Sequence, residues 1–119
     1  MTLAITTLKN RADFLRLRRG RKRMTPYFIL RADVSEAVVG TSARVGYTVT
    51  TKCGNAVVRN RIKRRLRALV RELFPASARG GYDYILIARS DVRPGVAEVP
   101  FAALREAMQR AVAGIHRDA

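Results

Sequence analysis

The sequence predicts a single α+β domain in which a small sheet is covered by helices, with the elements in the order α-β-β-α-β-α. The chain has 119 residues, which is the length of one ordinary domain. Hydrophobic residues make up 48% of it and charged residues 28%, values that argue against disorder. Helix-like and strand-like patterns alternate without any internal repeat. We therefore expect residues 1–119 to form one domain.

The first three elements are predicted from local apolar patterns. A helix is expected near Lys9 to Arg18 and should end at Gly20. Its apolar stripe consists of Leu8, Phe14, Leu15 and Leu17. PYFILRADV is rich in residues that favour strands, and ARVGYTVTTK alternates apolar and polar residues. These two segments are expected to pair as an antiparallel hairpin.

The most regular pattern is NAVVRNRIKRRLRALVRELF, residues 55–74, which we name the central helix. Asn55 is a favourable N-cap residue because its side-chain oxygen can accept a hydrogen bond from the first helical turn. Pro75 is expected to end the helix just after Phe74.

The C-terminal third predicts a strand and a last helix. YDYILIAR, residues 82–89, has the short apolar run of a buried strand. FAALREAMQRAVAGIHR, residues 101–117, follows Pro100 and has helical spacing. Its predicted buried face consists of Phe101, Leu104, Met108, Ala111 or Val112, and Ile115.

Charge is the unusual feature of the chain. Lys and Arg number 24 against 9 Asp and Glu, which gives a formal net charge of +15. Eight of the cations lie between Lys9 and Arg23, opposed only by Asp13, and seven lie between Arg59 and Arg71 with no acid among them. Such blocks indicate a polyanionic partner.

The central helix separates its apolar residues from its cations. At 100° per residue, one arc holds Val58, Ile62, Leu66, Leu69, Val70 and Leu73. The opposite arc holds Asn60, Arg61, Lys63, Arg64, Arg67 and Arg71. Like charges four residues apart oppose helix formation by about 0.2–0.5 kcal/mol per pair, and a face that only meets solvent normally mixes signs. The guanidinium fork suits phosphate, so this face predicts binding to RNA or DNA.

Catalytic motifs are missing from the sequence. It contains no G-x-x-x-x-G-K-[ST], no G-x-G-x-x-G after a strand and no H-E-x-x-H. His116 is expected in the frayed last turn of the last helix, where a cation favours the helix dipole. Four aspartates are candidates for a two-metal nuclease site, but their spacing predicts no shared location: Asp13, Asp33, Asp83 and Asp91. The residues therefore indicate a polyanion-binding module without its own active site.

The cellular setting is predicted from cysteine usage and from the N-terminus. Cys53, the only cysteine, cannot form an internal disulfide, favours a reducing compartment and is expected at the end of a strand. MTLAITTLKN lacks the apolar core of a secretion signal, and the longest strongly apolar run is only YILIA. We expect a cytoplasmic protein.

GNAVVRNRIKRRLR, residues 54–67, closely resembles the signature of the bacterial ribonuclease P protein subunit. Arg59, Asn60 and Arg61 match its Arg-Asn-Arg core. The resemblance extends to RVGYTVTTK just before it, to ADF near the N-terminus and to the strand at residues 84–89. It implies the compact fold of that family, whose βαβ crossover is left-handed.

The resemblance implies an accessory role beside a catalytic RNA. In the family, that RNA uses bound Mg²⁺ to hydrolyse the phosphodiester that joins the 5′ leader to the body of precursor tRNA. The protein would then be a single RNA-binding domain, monomeric and one per RNA. It would improve affinity for precursor tRNA and lower the Mg²⁺ requirement, without a metal or catalytic residue of its own.

The resemblance also assigns two groups of binding residues. The first would contact the catalytic RNA: Lys52, Arg59, Asn60, Arg61, Lys63, Arg64 and Arg67. The second would hold the single-stranded leader: Phe14, Phe28, Thr48 and Thr50, with Arg18 and Arg31 where family members often have aromatics. An arginine plane can stack on a base or pair with phosphate. Core packing is the alternative role for Phe14 and Phe28.

Other functions predict different behaviour. A structural RNA-binding protein of the ribosomal-protein type would share the basic helix without needing a leader cleft, so replacing Phe14, Arg18 and Arg31 together separates the two hypotheses. A metal-dependent nuclease would cleave its RNA substrate without the catalytic RNA. A membrane-active amphipath is disfavoured because a core accounts for the apolar face.

Overall fold

The computed structural model describes residues 3–38 and 40–117. Its elements are β1 (Ala4–Thr7), α1 (Arg11–Leu17), β2 (Arg21–Met24), β3 (Phe28–Val34), β4 (Ser42–Thr48), a 3-10 turn (Thr51–Cys53), α2 (Ala56–Ser77), β5 (Tyr82–Ala88) and α3 (Phe101–Arg117). The α+β class is confirmed, and all six predicted elements are present. Two further short strands, β1 and β2, were not predicted. Cys53 is buried in the 3-10 turn after β4.

The five strands form one mixed sheet in the order β1-β4-β5-β3-β2. β5 is parallel to β4 and antiparallel to β3, so that Leu86 pairs with Tyr47 on one side and with Leu30 on the other. The predicted hairpin between PYFILRADV and ARVGYTVTTK is therefore wrong. Because α2 carries the chain from the end of β4 back to the start of β5, the apolar β5 takes the central position between β3 and β4. The left-handed sense of this crossover stays a prediction.

The two faces of the sheet are covered unequally. On one face, residues such as Leu30, Tyr84 and Leu86 are fully buried in the main core with α2 and α3. On the other, the seven-residue α1 covers a small cluster made of Leu8, Leu17 and Ile85, with Phe14 and Ile87 partly buried beside it. Leu15, predicted in the apolar stripe of α1, is instead 43% exposed, because it lies on the outer side of the helix. The short α1 leaves part of this second face uncovered.

The central helix begins as predicted but ends later. The Asn55 side chain accepts a hydrogen bond from the Val58 N–H at 3.0 Å, which caps the first turn of α2. The helix continues through Pro75 to Ser77, and the Ala78 N–H donates to the Phe74 carbonyl at 3.0 Å. A proline costs a helix one backbone hydrogen bond, which is tolerated in a last turn that water can reach.

β2 has the sequence RKRM and forms the outer strand beside β3. The Arg21 guanidinium donates to the Ile115 carbonyl at 3.1 Å, and the Arg23 guanidinium donates to the Gly114 carbonyl at 2.9 Å. Both cations thus cap the C-terminal end of α3, where the helix dipole is negative. Part of the N-terminal basic block is therefore used inside the fold.

His116 is a buried, neutral residue, not the exposed cation expected from the sequence. The Tyr84 hydroxyl accepts a hydrogen bond from the Arg79 N–H at 2.8 Å and lies 2.6 Å from the His116 Nε2. The Tyr84 proton is therefore free to be donated to an unprotonated imidazole. Burial, together with the nearby Arg79 and Arg21, lowers the pKa of His116 to about 4. Burial also raises the pKa of Tyr84 to about 12.

We predict that this imidazole destabilises the fold in acid. Because its folded-state pKa of about 4 lies below the ordinary value of 6.5, the unfolded chain takes up the proton first as the pH falls. The stability that the neutral imidazole contributes is fully present above pH 6.5 and is lost as the pH falls from 6.5 to 4. Urea unfolding at pH 7 and pH 4 should show a loss about 1–2 kcal/mol larger in the wild type than in His116→Gln, after allowance for solvent screening. Equal losses in the two proteins would contradict the assignment.

Within residues 3–38 and 40–117, no helix is both long and apolar enough to span a bilayer.

Candidate nucleic-acid interface

One side of α2 presents a row of cations to solvent. Asn60, Arg61, Arg64 and Arg67 are exposed, whereas Arg59 and Lys63 are half-buried. Lys52 is exposed in the 3-10 turn that leads into the helix. Within the described residues, none of these six cations forms an ion pair with a carboxylate. The structure thus places all seven residues assigned to the catalytic RNA on or next to one helix. We name the surface that they form the α2 cationic face.

Two further residues of α2 explain why this face stays positive. Arg65 turns to the loop before α3, where its guanidinium donates to the carbonyls of Val96 at 2.7 Å and Val99 at 2.5 Å. Glu72 turns to α3 and accepts hydrogen bonds from Arg105 at 2.5 and 3.0 Å, which lowers the pKa of this carboxyl group. Arg65 is therefore a packing residue, and in the part of the chain that the structure describes no carboxylate pairs with the row of cations.

The uncovered part of the sheet forms a second surface, which we name the open face. Cross-strand pairing aligns Met24 with Ile29, Ile29 with Ile87, and Ile87 with Thr48. Paired residues point to the same side of a sheet, so these four residues share one surface on the side of α1. Met24 is 56% exposed. The open face is therefore an apolar floor that ends in a threonine.

Phe14 reaches the open face because β4 has a glycine beneath it. A Cβ atom on Gly46 would lie 2.5 Å from the Phe14 Cζ, which is far inside contact distance. The absence of a side chain at Gly46 therefore lets the half-buried ring lie directly on the sheet.

The resemblance assigns Phe28 to the leader-binding group, but the structure gives it the alternative role of core packing. It is fully buried in the main core, on the sheet face that α2 and α3 cover. Successive side chains of a strand point to opposite faces, so the next residue, Ile29, faces the open side instead. Sequence reasoning missed Met24, Ile29 and Ile87, although strand alternation with Phe28 in the core would have placed Ile29 correctly.

A groove of 320 Å³ joins the two surfaces. It is lined by Met24, Ile29, Thr50, Lys52, Ile87, Ala88, Arg89, Ser90 and Asp91. The Arg89 guanidinium donates to the Asp91 carboxylate at 3.1 and 2.9 Å and to the Thr25 carbonyl at 3.0 Å. The hydrogen bond from Arg89 lowers the pKa of Asp91. Lys52 thus borders both the groove and the start of the α2 cationic face, which makes them one continuous surface.

Arg18 and Arg31 meet at the C-terminal end of α1. The Arg31 guanidinium donates to the Arg18 carbonyl at 2.9 Å and approaches the Gly20 carbonyl at 3.4 Å. The Arg18 side chain is exposed. Arg31 is therefore partly used to hold α1 on the sheet, whereas the Arg18 guanidinium remains available to an anion.

Three of the four candidate carboxylates do meet, contrary to the expectation of no shared locus. Asp83 is fully buried and accepts hydrogen bonds from Arg44 at 2.8 and 2.7 Å and from Arg16. Asp13 and Asp33 lie within ion-pair distance of Arg16, at 3.6 and 3.3 Å. The fold brings α1, β3 and β5 together here, which sequence spacing does not reveal.

This ion cluster is a structural feature. Its two guanidiniums occupy the positions where a metal ion would have to bind, and the hydrogen bond to Asp83 raises the pKa of Arg44. Across residues 3–38 and 40–117, no three His, Cys, Asp or Glu side chains are grouped so as to hold a metal ion.

The fold and the two surfaces define a small basic α+β protein with a cationic helix beside an open sheet face. The ribonuclease P family model matches residues 4–116. The chain therefore belongs to the ribonuclease P protein family, which forms part of an endoribonuclease. The resemblance noted in the sequence is confirmed.

Individual relatives agree with this assignment. The ribonuclease P protein component of Bartonella quintana is 49% identical over 88 residues, which cover 71% of this chain and 66% of the relative. That of Erythrobacter litoralis is 43% identical over 112 residues, which cover 94% of this chain and 87% of the relative. The solved RNase P protein from Thermotoga maritima superimposes with a TM-score of 0.73 at 26% identity, covering 93% of this chain and 96% of that one.

Proposed function

We propose that this protein binds the catalytic RNA of ribonuclease P and the 5′ leader of precursor tRNA, and thereby assists removal of the leader. The observation that supports this most is the continuity of the α2 cationic face with the groove of the open face through Lys52. Binding of the catalytic RNA on one surface and of the precursor tRNA leader on the adjoining surface would bring catalyst and substrate together.

The α2 cationic face suits the catalytic RNA because its guanidiniums have no internal carboxylate to release first. The proposed contacts are Lys52, Arg59, Asn60, Arg61, Lys63, Arg64 and Arg67. Phosphate contacts of this kind release counterions, so affinity should fall steeply as salt rises.

The open face suits a single strand. Its apolar floor of Met24, Ile29 and Ile87 can cover the faces of bases, and Phe14 can stack on one of them. The hydroxyl groups of Thr48 and Thr50 can bind the sugar-phosphate backbone. Arg18 and Arg31 supply positive charge at the α1 end. An aliphatic floor provides few base-edge hydrogen bonds, so we propose that the leader is held with little sequence preference.

Catalysis is proposed to belong to the RNA and its bound Mg²⁺, with no metal held by the protein. The protein contributes positive charge near the substrate, which lowers the concentration of free Mg²⁺ needed. We propose one protein per RNA, acting in the cytoplasm. The buried, unpaired Cys53 is compatible with a reducing compartment.

The test is single-turnover cleavage of a precursor tRNA at low Mg²⁺ by the cognate catalytic RNA, with and without this protein. We expect cleavage to depend on the protein and the protein alone to be inert. Failure to rescue would mean that the α2 cationic face serves another RNA. Cleavage by the protein alone would overturn the proposal that the RNA is the catalyst.

Replacing Phe14 with alanine separates leader binding from general RNA binding. Loss of one stacked base is worth about 1–3 kcal/mol, so the holoenzyme should bind precursor tRNA roughly 10-fold more weakly. Binding of mature tRNA, which has no leader, should not change. Leu15→Ala, on the exposed side of the same helix, is the matched control. An equal loss for both RNAs would favour a structural RNA-binding role, provided that thermal unfolding shows the variant to be folded.

A further inference from the structure

A separate groove lies between β1 and the C-terminal half of α2, on the side of the sheet away from the open face. It has a volume of 280 Å³, and its lining includes Ile5, Thr7, Tyr47, Arg67, Val70 and Arg71. A hydrogen bond of 3.0 Å from the Leu3 N–H to the Pro75 carbonyl ties its two walls together. We name it the β1–α2 groove.

The mouth of this groove is positively charged without compensation. The guanidinium carbon of Arg67 lies 5.9 Å from the centroid of the Tyr47 ring. Burial raises the pKa of the Tyr47 hydroxyl, and both Arg67 and Arg71 oppose this effect, which places two cations beside one phenol. Within the described residues, neither arginine forms an ion pair with a carboxylate, and no acidic residue lines the groove.

The carboxylates of the described residues that form ion pairs bind other arginines. Arg16, Arg44, Arg89 and Arg105 each bind a carboxylate. Glu72 follows Arg71 directly, yet its carboxylate is held by Arg105 on the α3 side. The pair at the groove is therefore left for an external anion.

The other residues of the lining indicate which chemical group is attached to that anion. The walls formed by Ile5 and Val70 are apolar, and the lining also includes the aromatic ring of Tyr47, which lies beside Arg67. A cavity of 280 Å³ is near the lower limit for ligand pockets, which suits one small aromatic group. A nucleotide combines such a group with a phosphate, and a guanidinium binds phosphate through two parallel hydrogen bonds.

We propose that the β1–α2 groove binds one unpaired nucleotide of the RNA partner, with its phosphate between Arg67 and Arg71 and its base against Tyr47. This inference rests on the proposed function, and it adds a defined subsite to the α2 cationic face. Arg67 belongs both to the α2 cationic face and to the lining of the groove, so an RNA that lies on this face reaches the groove.

The chain has no tryptophan, so Tyr47→Trp introduces a single reporter in the groove. The matched control is Tyr27→Trp, which lies beside α3 on another surface. We expect the full-length cognate catalytic RNA to quench the emission of Trp at position 47 and to leave Trp at position 27 unchanged. Adding Arg67→Gln and Arg71→Gln should abolish the quenching at RNA concentrations that still saturate binding. The slope of log affinity against log salt should become shallower by about two.

A second measurement does not depend on the tryptophan. Acylation of RNA 2′-hydroxyls should show one unpaired nucleotide of the catalytic RNA protected by the wild-type protein and exposed with Arg67→Gln/Arg71→Gln, while the other protections remain. RNA that binds without quenching or without this local change would overturn the inference and leave the proposed function intact. Equal quenching by free uridine 5′-monophosphate at the same nucleotide concentration would also overturn it. If wild-type protein does not bind the catalytic RNA, the proposed function fails and this inference fails with it.

Discussion

Replacing Asp83 with alanine is expected to lower the free energy of unfolding by about 3 kcal/mol. The carboxylate is fully buried and neutralises both Arg16 and Arg44, so its removal leaves two guanidiniums without their main partner. The loss should lie at the low end of the range for broken buried ion pairs, because both arginines are partly exposed and can recover some hydration. Urea unfolding at pH 7 measures it.

The loss should be larger than that from an exposed pair of the same chemistry. Glu106→Ala removes the partner of Arg110 in an ion pair of 2.9 Å whose side chains are 65% and 81% exposed, and it should leave the midpoint unchanged. A midpoint for Asp83→Ala that matched the Glu106→Ala value would show that the cluster contributes nothing to stability. Because Arg16 holds α1 on the sheet, Asp83→Ala should also weaken leader binding through Phe14.

The double variant Arg61→Gln/Arg64→Gln is expected to bind the catalytic RNA about 50-fold more weakly at 0.1 M salt. Each phosphate that the variant fails to neutralise reduces the slope of log affinity against log salt by about 0.9, so two such phosphates should make it shallower by about two. Both side chains are exposed on α2, and the fold does not depend on them. Filter binding over a range of salt concentrations gives both numbers.

Arg110→Gln/Arg117→Gln is the matched control, because it removes the same charge from exposed positions on α3. We expect a small change that reflects only the lower net charge. Equal weakening by the two pairs would mean that the RNA responds to overall charge and not to the α2 cationic face. If the slope of log affinity against log salt for Arg61→Gln/Arg64→Gln equals that of the wild type, these residues do not contact the RNA.

The elements predicted well are those whose signal is local. α2 and α3 have long helical periodicity, and Asn55 caps the first as its type suggests. β1 and β2 have only four residues each, and RKRM lacks the apolar alternation of a strand. β2 forms because Arg21 and Arg23 reach the end of α3, which lies far away in the sequence. Strand order also depends on contacts between distant parts of the chain. Nothing in the sequences of β3 and β4 shows that β5 will lie between them.

The same distinction applies to the candidate site. Helical spacing alone places the α2 cationic face, since nearly all its residues lie on one element. The open face is built from four strands and α1, so its residues are known only once the register is known. Phe28 and Ile29 illustrate this, because a shift of one residue exchanges the core for the surface.

The outer strand β2 has a consequence for self-association. Its only sheet neighbour among the described strands is β3, so its other edge could accept a strand from a second molecule. That edge carries Arg21, Lys22 and Arg23 in succession. Two copies pairing there would bring six positive charges together across strands about 4.8 Å apart. Charge repulsion therefore opposes pairing of this unpaired edge with a strand of a second molecule. The basic block thus keeps molecules apart as well as attracting polyanions.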